Sequence, residues 1–156
     1  IGRVRATPSA VAYADRWRRS PGRFSVPLVA IHNRLDTLLA ADHAYVDALY
    51  YCPHHPDKGF PGEVPELKFA CGCRKPEPGM IRQAAEELRI DLARSWYIGD
   101  TTIDMELARR CGLNFILVET GHGGRDGKFP GEPQHRVPDL AAAVNLILGQ
   151  PVAAAG

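Results

Sequence analysis

The 156-residue sequence lacks the features of a membrane protein or an exported protein. No apolar run approaches the ~18 residues that a membrane-spanning helix needs. The N-terminus is polar and interrupted by Arg, Pro and Asp, which is not the pattern of a secretory signal peptide. A formal net charge of +1 argues against an overall affinity for nucleic acid or anionic membranes. We therefore expect a cytoplasmic monomer that binds neither nucleic acid nor membranes.

Cysteine is scarce as well, with four residues in the chain. A chain of this length can bury a core large enough to fold without covalent cross-links. Thiols stay reduced in the cytoplasm, so we expect free cysteines rather than disulfides. The composition favours a single domain over residues 1–156, with an irregular N-terminal segment over about 1–25 and a metal-binding loop over 52–73.

A regular alternation of helix and strand signals begins near residue 77. Apolar residues at helical spacing predict helices over 78–90, 101–112 and 139–149. Short apolar runs predict buried strands over 95–100 and 114–120, and a Gly/Pro-rich loop follows over 121–138. In the last helix the residues predicted to face the core are Leu140, Val144, Ile147 and Leu148. Such alternation is typical of an α/β fold with parallel strands.

The first half of the chain gives weaker signals. Residues 7–19 predict a helix capped by Thr7, and residues 45–52 predict a strand. A second helix is predicted over 25–43, with Ser25 as its cap and an apolar stripe at helical spacing. Its apolar residues are Leu28, Ile31, Leu35 and Leu38. A strand over 27–32 is the minority alternative.

Two short-spaced pairs of metal-ligating residues flank a loop with little secondary-structure signal. Cys52 and His54 form a Cys-x-His pair, and Cys71 and Cys73 form a Cys-x-Cys pair. Three cysteines and one histidine are a standard ligand set for structural zinc. Bound metal would hold a loop that cannot bury a core of its own.

Spacing leaves two alternatives open at this loop. His55 could replace His54 as the fourth ligand, and the cysteines could instead be inert and buried beside a surface histidine. A disulfide is disfavoured, because Cys71 and Cys73 are too close in sequence for an easy bridge. Cys111 lies on the apolar face of a predicted helix and is expected to be a core residue.

Cationic and acidic residues beyond the loop predict a phosphate site. Arg74 and Lys75 follow the cysteine pair directly and could bind a dianion, although an isolated Arg-Lys pair is more often solvated. Asp100 stands at the end of a predicted strand and Asp104 one helical turn later. Their carboxylates suit Mg²⁺, although an aspartate at a helix start is often only a cap. Together these residues make phosphoryl chemistry the leading hypothesis.

The stretches "YYCPHHPD", "CGCRKPEPGM", "WYIGDTTIDMELA" and "VPDLAAAV" resemble the haloacid-dehalogenase-like phosphatases. The resemblance spans about residues 45–150. Within that family they resemble the zinc-containing D-glycero-D-manno-heptose 1,7-bisphosphate 7-phosphatases, with the histidinol-phosphate phosphatases sharing the layout. The resemblance implies a Rossmann-type parallel sheet with a zinc-bound loop. It also implies a phosphatase that acts on a phosphorylated sugar of the nucleotide-heptose pathway.

The resemblance also implies roles for individual residues. Zn²⁺ would be structural and bound by Cys52, His54, Cys71 and Cys73. Lys75 would stabilise the phosphate and Arg74 would help to recognise the substrate. Mg²⁺ would be catalytic and bound by Asp100, with Asp104 as a supporting carboxylate.

The sequence departs from the family pattern at the nucleophile. The family uses the first aspartate of an Asp-x-Asp motif near the N-terminus, and no Asp-x-Asp occurs in this chain. The interpretation we favour is a truncated chain that lacks the N-terminal strand. A decayed motif at "LVAIHN", with His32 and Asn33 in place of Thr-Asn, is the alternative. A catalytically inactive homologue is therefore the competing functional class. A zinc-ribbon nucleic-acid module is disfavoured by the absence of a basic stripe.

Overall fold

The computed structural model describes residues 11–12, 21–59, 61 and 63–149, with only the backbone described for residues 11–12 and 21–29. The chain divides into two compact units, residues 1–74 and 75–156. The single domain expected from composition stays a prediction. None of the helices among the described residues is long and apolar enough to cross a membrane.

Among its described residues, the first unit contains one long helix and little other regular structure. Its elements are strand β1 (Val11–Ala12), helix α1 (Pro21–Ala41), strand β2 (Leu49–Tyr50) and a 3₁₀ helix (Pro65–Leu67). The two short strands pair in parallel, with Val11 opposite Leu49. The residues that connect the predicted metal ligands are held by turns and side chains rather than by a sheet.

Helix α1 confirms the helix predicted over 25–43 and rules out the strand alternative at 27–32. The decayed-motif interpretation of "LVAIHN" is wrong for the same reason, since these residues are helical. Ser25 is not the cap, because the helix begins four residues earlier at Pro21. The helix predicted over 7–19 lies outside the described residues except at Val11–Ala12, which is a strand.

The second unit follows the predicted alternation of helices and strands. Its elements are α2 (Gly79–Leu88), a 3₁₀ helix (Leu92–Arg94), β3 (Trp96–Gly99), α3 (Thr102–Cys111), β4 (Asn114–Val118), β5 (His135–Val137) and α4 (Leu140–Ile147). Helix α3 ends at Gly112, whose left-handed backbone (φ 69°) suits glycine. The predicted α/β architecture with parallel strands is confirmed here.

The strands of this unit form one parallel sheet in the order β3–β4–β5. Gly99 at the end of β3 lies opposite Leu117, and Ile116 lies opposite His135. Because the strands are parallel, their carboxyl ends share one edge of the sheet, where ligands of such folds bind. Asp100 follows β3 at that edge.

Strand β5 is absent from the sequence prediction, which assigned residues 121–138 to a loop. The strand is three residues long, and its first two residues, His135 and Arg136, are exposed. A strand this short, polar and at the edge of a sheet carries no periodic apolar signal. Its partner β4 supplies the hydrogen-bonding edge that makes it a strand.

Helix α4 is where the prediction places the wrong residues in the core. Leu140, Val144, Ile147 and Leu148 were predicted to face inward, but all four are exposed. Ala142 and Ala143 are buried instead, and they pack with Ile116, Val118 and Val137 of the sheet. The helix is apolar nearly all round, so periodicity could not select the face. Alanines allow the helix backbone to approach the sheet closely.

Candidate metal centre and candidate phosphate site

The predicted zinc ligands converge in the first unit. The metal-binding atoms of Cys52, His54, Cys71 and Cys73 all lie within 4.8 Å of one another. The three Sγ–Sγ distances are 3.4 Å for Cys52–Cys71, 3.1 Å for Cys71–Cys73 and 3.1 Å for Cys73–Cys52. These separations exceed the ~2.05 Å of a disulfide, and all four cysteines of the chain are free. The expectation of free thiols is therefore confirmed.

His54, not His55, completes the cluster. His54 Nδ1 lies 3.5 Å from Cys73 Sγ and 3.8 Å from Cys52 Sγ. His55 turns away, and its Nδ1 accepts a hydrogen bond from the Asp57 backbone N–H at 3.2 Å. The Phe69 ring packs on the His54 ring, with centroids 4.2 Å apart, and helps to fix its orientation. Adjacent histidines thus have different environments that spacing alone could not distinguish.

The donor set and its dimensions fit Zn²⁺. Tetrahedral zinc–thiolate bonds of about 2.3 Å would place the sulfurs roughly 3.8 Å apart. The observed separations of 3.1–3.4 Å are somewhat shorter, so the sulfurs need to move apart only slightly to bind the metal. Burial and the neighbouring Cys73 thiol raise the pKa of Cys52 above its usual range. Burial acts in the same direction on Cys71, but hydrogen bonds from Cys73 and Cys52 outweigh it and lower the pKa of Cys71 to about 7. A metal cation is the natural partner for three clustered thiols that must lose their protons together.

The predicted Arg-Lys pair is divided between the two units. Arg74 closes the first unit, where its Nη1 donates to the His54 carbonyl oxygen at 3.0 Å. This bond ties the guanidinium to the backbone of a predicted metal ligand. Lys75 opens the second unit and forms different contacts.

Lys75 and Asp104 form a short ion pair in the second unit. Lys75 Nζ lies 2.6 Å from Asp104 Oδ1, and the side chains are 17% and 3% exposed. Asp104 Oδ1 also accepts from the Tyr97 hydroxyl at 3.2 Å. Its Oδ2 accepts from the Thr101 hydroxyl at 2.6 Å and the Thr101 N–H at 3.2 Å. Asp104 is therefore buried with hydrogen bonds to both oxygens, and it fixes the partly exposed Lys75 ammonium.

The same contacts explain why Asp104 lies at this point of the chain. Asp104 and Thr101 form a reciprocal capping box at the start of α3. The cap interpretation of this aspartate is thus correct, and it is compatible with the contact to Lys75. Gly99 leaves the space that the Asp104 side chain occupies. Any other residue at this position would place its Cβ 2.6 Å from Asp104 Cγ.

Asp100 presents a carboxylate at the carboxyl end of β3. Its Oδ2 accepts from the His122 backbone N–H at 2.8 Å, and His122 Nδ1 lies 3.1 Å away. The side chain is 36% exposed, so it remains accessible to a ligand. Gly121, with φ 70°, allows this approach, because a Cβ there would overlap Asp100 Oδ2. One partly exposed carboxylate is a common protein contribution to a Mg²⁺ site, where water and phosphate supply the other ligands.

The loop after β4 is anchored to the start of α3. Asp126 accepts from the Thr102 N–H and the Thr102 hydroxyl, each at 2.7 Å. Burial opposes ionisation of Asp126, but these two hydrogen bonds outweigh it and lower the pKa of that carboxyl. The Gly124 N–H donates to the Asp100 carbonyl oxygen at 2.8 Å. The loop therefore holds the backbone around Asp100 from two sides.

Sequence reasoning missed the residues that support this site. Tyr97 and His122 contact Asp104 and Asp100, and Asp126 anchors the loop. None carries a motif of its own, since each contact joins residues that are 7 to 24 positions apart. The Gly-rich "GHGG" after a buried strand was a signal of close backbone approach that could have pointed to His122.

Comparison with known proteins agrees with the fold and the site. The profile of the HAD-hydrolase-like family matches residues 72–143. The D-glycero-beta-D-manno-heptose-1,7-bisphosphate 7-phosphatase of Pseudomonas aeruginosa is 40% identical over 122 residues, 78% of this chain and 62% of that protein. The D-glycero-D-manno-heptose-1,7-bisphosphate 7-phosphatase of Thermosynechococcus vestitus is 42% identical over 125 residues, 76% of this chain and 62% of that protein.

A solved structure extends the agreement to three dimensions. The D,D-heptose 1,7-bisphosphate phosphatase of B. bronchiseptica, complexed with magnesium and phosphate, is 35% identical with a TM-score of 0.66. The match covers 80% of this chain and 65% of that one. The chain spans 45–62% of the length of the first curated relatives that it matches. The parallel sheet, the Cys/His cluster and these matches agree that the chain is similar to the haloacid-dehalogenase-like hydrolases.

Proposed function

We propose that this chain carries the substrate, zinc and magnesium sites of a phosphatase that acts on a phosphorylated sugar. The proposed substrate is D-glycero-D-manno-heptose 1,7-bisphosphate, cleaved at the 7-phosphate. The observation that carries the proposal is the buried Asp104 carboxylate, which holds the partly exposed Lys75 ammonium. The relatives at 40–42% identity with heptose bisphosphatase names support the choice of substrate.

The proposal assigns structural zinc to Cys52, His54, Cys71 and Cys73. Closing this loop would fix the backbone that leads into Arg74, whose guanidinium is already bound to the His54 carbonyl. Arg74 is proposed to recognise a second anionic group of the substrate, since a guanidinium can bind phosphate through two parallel hydrogen bonds. Zinc would take no part in the chemical step.

The proposal assigns the transferred phosphate to Lys75 and the magnesium to Asp100. Lys75 directs one proton to Asp104, and an ammonium group has three donors, so others can reach a phosphate oxygen. His122 contacts Asp100 Oδ2, and Oδ1 is the oxygen that we assign to the cation. When bound, Mg²⁺ would neutralise charge on the phosphate. Asp104 is the supporting carboxylate that orients Lys75.

The nucleophile is the component that the sequence does not display. Phosphatases of this family form an aspartyl-phosphate, and no Asp-x-Asp occurs in the 156 residues. Binding and turnover are therefore separate expectations for this chain. We expect it to bind the substrate in a Mg²⁺-dependent manner and to release no phosphate above background.

Calorimetric titration of the zinc-loaded chain with heptose bisphosphate and Mg²⁺ tests the binding. Lys75→Met should weaken binding by at least about tenfold, as expected when a hydrogen bond between charged groups is lost. Lys128→Met is the matched control, because Lys128 is an exposed lysine of the same unit. Histidinol phosphate, titrated in parallel, tests the alternative substrate.

The outcomes separate the parts of the proposal. No binding of either phosphate ester would contradict the proposed function. Tighter binding of histidinol phosphate would keep the reaction and change the substrate. Phosphate release that Lys75→Met abolishes would contradict the expected lack of turnover and would show that an unrecognised aspartate is the nucleophile.

A further inference from the structure

Lys68 is a buried lysine in the loop between the two ligand pairs. The residue is 8% exposed, and among the described residues only Asp104 shares with it both a charge and this degree of burial. Burying an ammonium group is costly unless it is paired and hydrogen-bonded. The sequence around it, "PELKFA", gives no reason for the burial. The partners of Lys68 therefore show what the burial achieves.

Those partners lie on the opposite side of the loop. Lys68 Nζ donates to the Asp57 carbonyl oxygen at 2.7 Å, across eleven positions of sequence. It also lies 3.4 Å from Glu63 Oε2, whose side chain is 22% exposed. The ammonium thus links three points of the loop and is compensated by a carboxylate. The 3₁₀ helix at Pro65–Leu67 places Lys68 for this contact, because the Lys68 N–H closes it on the Pro65 carbonyl.

Two further hydrogen bonds connect this clamp to the metal ligands. The His55 N–H donates to the Leu67 carbonyl at 2.9 Å, and the Asp57 N–H donates to His55 Nδ1 at 3.2 Å. Residues 55–57 are thereby fastened to residues 67–68. His54 directly precedes the first segment, and Cys71 follows the second by three positions. The clamp brings the two ligand pairs together through protein contacts alone.

We propose that Lys68 is a positioning residue for the zinc centre, which it preorganises by fastening the two halves of the loop before the metal binds. The inference rests on the zinc centre proposed above. A loop ordered in advance loses less conformational freedom when it binds its ligand, so affinity rises without a new contact to the metal. Lys68 acts on the metal ligands through Asp57 and His55.

Zinc affinity of the full chain, measured by competition with a chromophoric chelator, tests the proposal. Lys68→Met keeps the apolar stem and removes the ammonium, and it should raise the zinc dissociation constant about tenfold, the lower end of the range for residues that orient ligands. Lys58→Met is the matched control, since Lys58 is an exposed lysine of the same loop. It should leave the constant within about twofold, as expected of a surface change. Hydrogen exchange on metal-free protein should show faster exchange of the His55 amide in Lys68→Met only.

The proposal would be overturned if Lys68→Met and Lys58→Met have the same zinc dissociation constant and the same exchange rate at the His55 amide. A lower melting temperature of Lys68→Met would not change that conclusion. Glu63→Gln decides the matter if Lys68→Met does not fold. Loss of the compensating charge should weaken zinc binding by about two- to fivefold, as expected of a partly exposed pair, and no change would overturn the proposal. Wild-type protein that binds no zinc would instead overturn the metal centre itself.

Discussion

Replacement of Asp104 by alanine tests how much this buried carboxylate contributes to the stability of the second unit. The carboxylate is 3% exposed and accepts four hydrogen bonds from three residues: Lys75, Tyr97 and Thr101. Alanine removes all four at once and leaves a cavity. The Thr101 N–H at the first turn of α3 loses its side-chain acceptor, and Lys75 loses its counter-charge.

The expected loss is about 3 kcal/mol of the free energy of unfolding. Removing one member of a buried ion pair costs roughly 3–5 kcal/mol, because the other charge remains unpaired. Lys75 is 17% exposed and can recruit water, which places this term at the low end of the range. Loss of the cap costs about 1 kcal/mol on its own. The terms share one carboxylate and do not add fully.

Urea denaturation followed by Trp96 fluorescence, with Trp17 replaced by Phe in every variant, measures this loss. Trp96 begins β3 and packs against the core cluster of the sheet, so its signal reports on the unit that contains Asp104. Tyr97→Phe provides an intermediate step, since it removes one hydroxyl donor and keeps the ring that stacks on Phe115. The free energy of unfolding of Tyr97→Phe should be lower by about 1 kcal/mol.

Asp91→Ala is the matched control for the aspartate change. Asp91 is exposed and its side chain caps nothing, so its removal should change stability by less than about 0.5 kcal/mol. If Asp104→Ala lowers the free energy of unfolding by no more than Asp91→Ala does, the Asp104 carboxylate is not the centre of a buried network. The proposed role of Asp104 in holding Lys75 would then be wrong as well.

Two further predictions concern the metal sites. Cys71→Ser should reduce the zinc content, measured by elemental analysis, from one per chain to near zero. Cys111 lies outside the cluster, so Cys111→Ser should retain the zinc. Equal zinc contents in the two variants would contradict the assigned ligands. Gly121→Ala should weaken Mg²⁺-dependent substrate binding, because its Cβ would displace the Asp100 carboxylate. Gly127→Ala shares the positive φ but meets nothing within 4 Å, so it should lose only about 1 kcal/mol of stability and bind normally. Calorimetry compares the two glycine variants, and similar binding would show that Asp100 tolerates the shift.

Local sequence was sufficient wherever structure depends on local chemistry. The helices at 79–88 and 102–111 and the strand at 96–99 follow from apolar spacing and, for the second helix, from the breaker Gly112. The paired spacing of Cys52, His54, Cys71 and Cys73 was enough to predict a cluster. Short loops between such pairs restrict where the ligands can go.

Local sequence was insufficient wherever two alternatives have the same local chemistry. Helix α4 has apolar residues on nearly every side, so its apolar pattern does not identify the buried face. Ala142 and Ala143 are buried because their small side chains let the helix pack closely on the sheet. His54 and His55 are adjacent and chemically identical, and the hydrogen bond from Asp57 decided which one turns away. Strand β5 exists because the edge of β4 was available to it.

The sequence by itself determined the alternation of elements, the family resemblance and the residues with the right chemistry for zinc, phosphate and magnesium. Only the tertiary structure decided how those residues are held. Lys68 is buried because Asp57 and Glu63 come to it across the loop, and Asp104 holds Lys75 because β3 and α3 bring Tyr97 and Thr101 to the same carboxylate. Lys75 and Asp104 are 29 positions apart, and Lys68 and Asp57 are eleven apart. No periodicity or spacing in the sequence predicts contacts of this kind.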